Sequence, residues 1–137
     1  MGVEIDVVYE GELRCVATHG PSGSRIETDA PTDNCGKGER FSPTDLVATA
    51  LASCIVTTIG IVAQRKGWEV RGMRAHVSKV MSDSPPRRIA RLPVTLWMAT
   101  DLPPEARQQV ENTARTCPVH KSIGVEVEAP VTVHWPS

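Results

Sequence analysis

The side chains best suited to nucleophilic or redox chemistry in this 137-residue chain are its four cysteines, Cys15, Cys35, Cys54 and Cys117. A thiolate attacks peroxides, disulfides and metals, so each cysteine is judged by what its surroundings do to its proton. Cys54 lies in an apolar run, flanked at turn spacing by Ala50, Leu51, Ile55 and Thr58. Alone it fits packing as well as catalysis, because unoxidised cysteine buries like a small hydrophobe. Cys117 follows Ala106, Val110 and Thr113 at helical spacing, on the least polar face of a second helical segment. Two inward-facing thiols on packed helices form a candidate redox couple, with paired packing roles as the alternative. A cysteine at a helix C-terminus meets a dipole that opposes a thiolate, which suits Cys117 to attack an oxidised partner rather than to react first. Cys54, in mid-helix, needs a cation to lower its pKa from about 8.5. Arg14, Arg25 and Arg40 are the candidates, with Glu39 as a carboxylate to orient one of them.

Other chemistries find less support. Cys117 and His120 make a C-x-x-H that Cys54 would complete as a third metal ligand, but no second close-spaced ligand pair accompanies it. Cys15 falls in a strand candidate and reads as core; Cys35 falls in a Gly-rich loop and reads as a spectator. Gly36-Lys37-Gly38 lacks the spacing of a phosphate loop, and neither a Ser-His-Asp arrangement nor a dinucleotide fingerprint is present.

The elements that must position the thiols follow from patterning. Val3–Tyr9 and Glu12–Thr18 read as two strands joined by a turn, with a short third strand at Arg25–Thr28 and a loop over Asp29–Arg40. Ser42 then offers a helix N-cap, Pro43 suits the first helical position and Asp45 completes a capping box. The helix so begun runs to about Lys66, where Arg65 and Lys66 complement the dipole and Gly67 ends it. It spans roughly 35 Å. Its uncharged run, Leu46–Ala63, reaches the lower limit of a membrane span; its Thr, Ser, Gly and Ala content argues instead for a helix buried on nearly all sides. Trp68–Val80 and Arg88–Ala99 read as long strands of a hairpin broken at Asp83-Ser84-Pro85-Pro86. A second helix opens at Leu102-Pro103-Pro104-Glu105 and ends near Cys117, stopped by Pro118. Glu126–His134 is the last strand. The order predicts one α+β domain over residues 1–137.

Composition narrows the function classes. Net charge is −1, which gives no electrostatic footprint for nucleic acid or an anionic membrane. Aromatic residues are 4% of the chain, too few for a base-stacking surface. No basic-then-apolar leader opens the sequence, and the uneven cysteines do not form a disulfide framework, so a reducing, cytoplasmic setting is expected.

With these residues in place, a family resemblance can be stated. Phe41-Ser42-Pro43-Thr44-Asp45-Leu46 through Ala52-Ser53-Cys54 resembles the signature around the peroxidatic cysteine of the OsmC/Ohr hydroperoxide-resistance family. Cys117-Pro118-Val119-His120-Lys121 is similar to that family's second-cysteine motif, and Arg65-Lys66-Gly67-Trp68 resembles the helix exit of OsmC-like members. The resemblance implies an OsmC-like fold and an intertwined homodimer, with two central helices wrapped by antiparallel sheets and active sites at the interface. It implies a peroxidase that reduces organic hydroperoxides, with Cys54 peroxidatic and Cys117 resolving, and without metal or organic cofactor. The partner reductant implied is an external dithiol, such as a lipoylated protein. Ohr-type members place a Glu directly after the motif's proline, where this chain has Thr44. Arg14 matches the arginine that such members bring to the thiolate, and Glu39 stands in for the missing carboxylate. A non-enzymatic OsmC-like protein binding a small apolar or thiol ligand is the alternative.

Overall fold

The computed structural model describes residues 2–137. Their contacts divide the chain into two compact units, Met1–Val47 and Ala48–Ser137.

The first unit is built on an antiparallel sheet of β1 (Ile5–Gly11), β2 (Arg14–His19) and β3 (Arg25–Asp29), in that order. The first turn falls later than the sequence predicts. Glu12 and Leu13 both take positive φ, 54° and 65°, as a two-residue hairpin turn requires for its twist to match the strands. Neither residue carries the Asn-Gly signal that marks such turns. Val7, Ala17 and Ile26 stand in register across the three strands. Their face of the sheet is open: Ile5, Val7 and Tyr9 are each at least 60% exposed.

The segment after β3 was expected to be loop from Asp29 onward. Asp29 instead closes the strand and is 2% exposed. Beyond it the chain folds back through a single 3-10 turn, Thr32–Asn34, with Asp29 donating its amide to the Phe41 carbonyl. Gly36 packs so tightly on Ala30 that any Cβ there would overlap the Ala30 carbonyl.

Helix α1 (Pro43–Lys66) starts as its sequence predicts. The Ser42 hydroxyl accepts the Asp45 amide at 3.0 Å, and the Asp45 carboxylate accepts the Ser42 amide at 2.9 Å. This reciprocal pair satisfies two of the donors a helix start leaves open. The cover expected on nearly all sides is not reached within one chain. Ala48, Leu51, Ile55, Ile59 and Ala63 form a buried stripe, whereas Val47 and Ile61 are exposed. By length and composition α1 could cross a membrane, and 33% of its most apolar window is buried.

In the second unit α1 packs with β7 (Val94–Trp97), α2 (Pro104–Ala114) and neighbouring segments around Leu51, Ile55, Leu92, Leu96, Val110 and Ala114. Burying a leucine or isoleucine side chain of this kind contributes about 2 kcal/mol. The two long strands foreseen are each broken in two. Trp68–Val80 yields β4 (Arg74–Val77) and runs into β5 (Val80–Met81); Arg88–Ala99 yields β6 (Ile89–Arg91) and β7. Pro93, which has no amide to give a ladder, interrupts the second. The hairpin expected about Asp83–Pro86 does form, because β5 pairs β6 and β4 pairs β7, both antiparallel.

The last strand corrects the expectation of wholly antiparallel sheets. β8 (Val131–His134) is shorter than Glu126–His134 and runs parallel to β7, in a sheet ordered β4-β7-β8. Parallel neighbours need a long crossover, and the two helices α2 and α3 (Pro118–Ser122) lie between β7 and β8 to supply it. That crossover carries Cys117.

Candidate functional site

The structure places Cys117 differently from its expected position at a helix end. α2 stops at Ala114, with Arg115 as its C-cap, so Cys117 lies past it. Pro118 does not merely block continuation; it opens α3, and Cys117 is the N-cap of that short helix. Proline suits a first helical position because the amide it lacks would have no partner there. The dipole argument for Cys117 therefore does not hold, and the amides of a helix start face the thiols instead.

Those amides are shared between two sulfurs. Cys117, fully buried, accepts the His120 amide on its Sγ at 3.4 Å. The Val119 amide is directed at the Cys54 sulfur, which the Cys117 thiol also reaches, while the Thr58 hydroxyl lies 3.9 Å away. The two candidate thiols are thus brought together in one core cluster, where each shifts the other's proton affinity. The C-P-V-H sequence has a physical reading: one cysteine as cap, a proline without an amide, then two amides in succession toward the sulfurs, that of His120 bonded to Cys117 and that of Val119 acting on both.

Their proton affinities are split. Burial pushes the Cys54 thiol up, but the Val119 amide, the Cys117 thiol and the Thr58 hydroxyl together hold it below the ordinary cysteine value. Burial also pushes Cys117 up; the His120 amide pulls it down, but hydrogen bonding and charge from Cys54 keep it above the ordinary value. The split favours a thiolate at Cys54 over one at Cys117. Hydrogen bonds from Val119, Cys117 and Thr58 contribute the lowering that sequence reasoning assigned to a cation. Cys117 and Thr58 are legible in the sequence, the one as the facing thiol and the other as a neighbour at turn spacing; the Val119 amide is not.

One consequence is testable without a substrate. Val119→Pro deletes the amide facing Cys54 at a helix position that tolerates proline. A lost hydrogen bond to a charged group weakens the thiolate by roughly tenfold or more in its equilibrium. Alkylation of Cys54 at neutral pH should slow by about that factor, with its pH midpoint moved upward, as read by mass spectrometry of the labelled peptide.

In the first unit Arg14 and Glu39 are also brought together, by a residue not foreseen. Arg14 lies opposite Asp29 in the β2–β3 register. Its Nε donates to Asp29 Oδ1 at 2.7 Å and its Nη2 to Asp29 Oδ2 at 2.9 Å, while Nη2 also reaches Glu39 Oε1 at 3.0 Å. The Glu39 amide donates to Asp29 Oδ2. Asp29 is thereby held below the usual carboxylate range, chiefly by its bond to Arg14 and against the cost of burial; Arg14 is raised by the same bond. Of the other two arginines considered, Arg40 pairs with Glu27 at 3.2 Å. Asp29 was legible only as a polar residue after a strand; what marks it is burial, which the sequence does not state.

A carboxylate with a depressed folded pKa stabilises the fold fully above its unfolded value. That contribution is lost as pH falls through the lower, folded one. Asp29→Asn should therefore lower the melting temperature most clearly at neutral pH. The gap from the parent should narrow below roughly pH 4, as thermal melts at several pH values would show.

Cys15 is half-buried in β2 and Cys35 is exposed with φ at 70°. The His120 ring lies against the Ala129 carbonyl at 3.1 Å. Among the described residues no group of three His, Cys, Asp or Glu side chains could hold a metal ion. Further along α1 from Cys54, Thr57, Gly60, Ile61, Trp68 and Val70 line an open hollow of about 500 Å³.

A family model described as OsmC-like protein matches residues 36–131, a stretch that includes both site cysteines. The chain belongs to the OsmC-like family. Among solved structures this OsmC-like chain is similar to a protein of Psychrobacter arcticus named for a proposed role in osmotic-stress induction and detoxification. The two are 45% identical over 95% of this chain and 94% of that one, with a TM-score of 0.90. An OsmC-like protein of Mycoplasma pneumoniae shares the fold at 17% identity and a TM-score of 0.83, covering 100% and 99% of the two chains. A Legionella pneumophila protein named as an organic hydroperoxide resistance protein does so at 18% identity and a TM-score of 0.74, covering 97% and 96%. Comparison with curated proteins finds no match.

Proposed function

We propose that this OsmC-like protein acts in peroxide stress as a thiol peroxidase that reduces organic hydroperoxides. The observation that carries the reading is the meeting of Cys54 on α1 with the buried Cys117 at the start of α3 in one core cluster, the helix-start amides turned to the sulfurs. The Cys54 thiolate attacks the distal oxygen of ROOH. The O–O bond breaks, RO⁻ leaves and takes a proton as ROH, and Cys54 becomes a sulfenic acid. The Cys117 sulfur then attacks the Cys54 sulfur and expels the oxygen as water, forming the disulfide. An external dithiol, of which a lipoylated protein is one example, reduces that disulfide by exchange and is itself oxidised. No metal or organic cofactor enters this cycle. Arg14, oriented by Asp29 and Glu39, serves as the cation that stabilises negative charge on the reacting oxygens. The apolar helix faces that surround the thiols favour alkyl or aryl hydroperoxides over hydrogen peroxide. Names of distant OsmC-fold structures that refer to organic hydroperoxide resistance agree with this reading.

The test is direct. Reduced protein given about one equivalent of cumene hydroperoxide should lose two thiols, release cumyl alcohol and yield a Cys54–Cys117 disulfide in a non-reducing peptide map. Protein that keeps all its thiols overturns the proposal and favours the non-enzymatic, ligand-binding alternative.

The chain is proposed to work as a cytoplasmic homodimer and as a single domain over residues 1–137. The open apolar face of β1–β3 and the exposed Val47 and Ile61 of α1 support a second copy as their cover. Sedimentation of the reduced protein tests this: a mass of 14.8 kDa, that of one chain, would rule the dimer out.

A further inference from the structure

The His120 ring is a part of the second-cysteine motif that the redox cycle above does not use. The residue's backbone and ring point to a role for it. The backbone amide donates to Cys117 Sγ at 3.4 Å, and the ring Nε2 lies 3.1 Å from the Ala129 carbonyl oxygen. A carbonyl only accepts, so Nε2 carries the proton and donates it.

That ring bond crosses from α3 to the segment leading into β8. Three further hydrogen bonds of α3 stay within it and its caps: Lys121 amide to Cys117 carbonyl, Ile123 amide to Val119 carbonyl, Ser122 hydroxyl to Pro118 carbonyl. No residue of the helix itself is fully buried, although Val119 is partly packed on the core. A five-residue helix with such thin packing has little stability of its own. Yet its first turn must be held in register, since it is the His120 amide that bonds the Cys117 sulfur and the Val119 amide before it that acts on both thiols.

We propose that His120 is a positioning residue of the thiol pair, its imidazole clasping the Ala129 carbonyl so that the first turn of α3 keeps its amides on the buried sulfurs. It touches neither peroxide nor the reacting oxygen; it acts through the backbone it anchors. The inference rests on the peroxidase reading for its biological use, but not for its test.

The test compares the parent protein with His120→Leu and His120→Gln. Glutamine places an amide donor near the position of Nε2, whereas leucine fills the space without one. Reduced protein is labelled with monobromobimane over a range of pH, and labelling of Cys54 is read by peptide mass. His120→Leu should label about tenfold more slowly at neutral pH, with a raised midpoint, and His120→Gln should recover most of the loss. Parent-like labelling in a folded leucine variant overturns the proposal, as does a folded glutamine variant that behaves like leucine. Should the leucine variant fail to fold, nitrogen-15 NMR of the parent decides. An Nε2–H tautomer with a slowly exchanging proton supports the clasp, and an Nδ1–H tautomer overturns it. No hydroperoxide is present in either measurement. Parent protein that labels as expected but turns over no hydroperoxide therefore sinks the peroxidase reading and leaves the role of His120 standing.

Discussion

Cys54→Ser should reduce organic hydroperoxides on the order of a thousandfold more slowly than the parent, or not measurably. The substitution is close to isosteric, and the serine oxygen can accept the Val119 amide that the sulfur accepts. The fold should therefore survive, with a melting temperature near that of the parent. What is lost is ionisation. A serine hydroxyl stays protonated at neutral pH, and the hydrogen bonds that lower the Cys54 pKa are far too weak to change that. A thousandfold loss corresponds to about 4 kcal/mol of transition-state stabilisation. It should be seen as consumption of cumene hydroperoxide in the presence of a dithiol, with Cys117, Cys15 and Cys35 intact. If the serine variant keeps full turnover, the nucleophile is elsewhere and the cycle proposed for this chain is wrong. Residual slow oxidation would be assigned by peptide mapping, and Cys35 is the first place to look because it is exposed.

The local start of α1 was plainer in the sequence than the way distant segments meet. The α1 start was readable because Ser42, Pro43 and Asp45 each satisfy a different requirement of a helix N-terminus, and the structure pairs Ser42 with Asp45 in both directions. The apolar spacing around Cys54 and Cys117 reads as core packing for both, and both lie in or against one core cluster. What the spacing could not convey was the ending of α2 at Ala114. A proline after a helical stretch signals either an end or a new beginning, and Pro118 does the second. The electrostatics around Cys117 follow from that difference, not from its side chain. The broken strands have a similar origin. Leu92-Pro93-Val94 keeps its apolar pattern through a position that can give no ladder bond, and patterning alone reads straight across it. The parallel β7–β8 pairing depends on where the crossover returns, which no local pattern encodes. Asp29 stayed hidden for a different reason. A buried carboxylate and an exposed one are the same letter, and only the register opposite Arg14 tells them apart.

Cys117→Ser and Cys117→Ala should both stop after one oxidation, yet differ in how fast they reach it. Neither can form the intramolecular disulfide, so each should release about one equivalent of alcohol per chain and hold Cys54 as a sulfenic acid. A dimedone adduct on the Cys54 peptide would register that state. The two part company in the step before. Serine keeps a hydroxyl that can donate to the Cys54 thiolate and an oxygen that can accept the His120 amide. Alanine leaves that amide without an acceptor and the thiolate one donor short. The alanine variant should therefore show a higher midpoint for Cys54 alkylation and a first oxidation slower by roughly tenfold, while serine stays nearer the parent. Equal first-oxidation rates for the two variants would mean that Cys117 acts only as a resolving thiol and contributes nothing to activating Cys54. Sustained turnover in either variant would show that another thiol, from Cys15, Cys35 or an added reductant, resolves the sulfenic acid. The proposal joins two roles in one side chain, donor before the oxidation and nucleophile after it. The first holds the proton on Cys117 while Cys54 is a thiolate; the second needs that proton gone once Cys54 is oxidised. Oxidation itself removes the anion that shared the proton, so the charge that raised the Cys117 pKa disappears at the moment its thiolate is required.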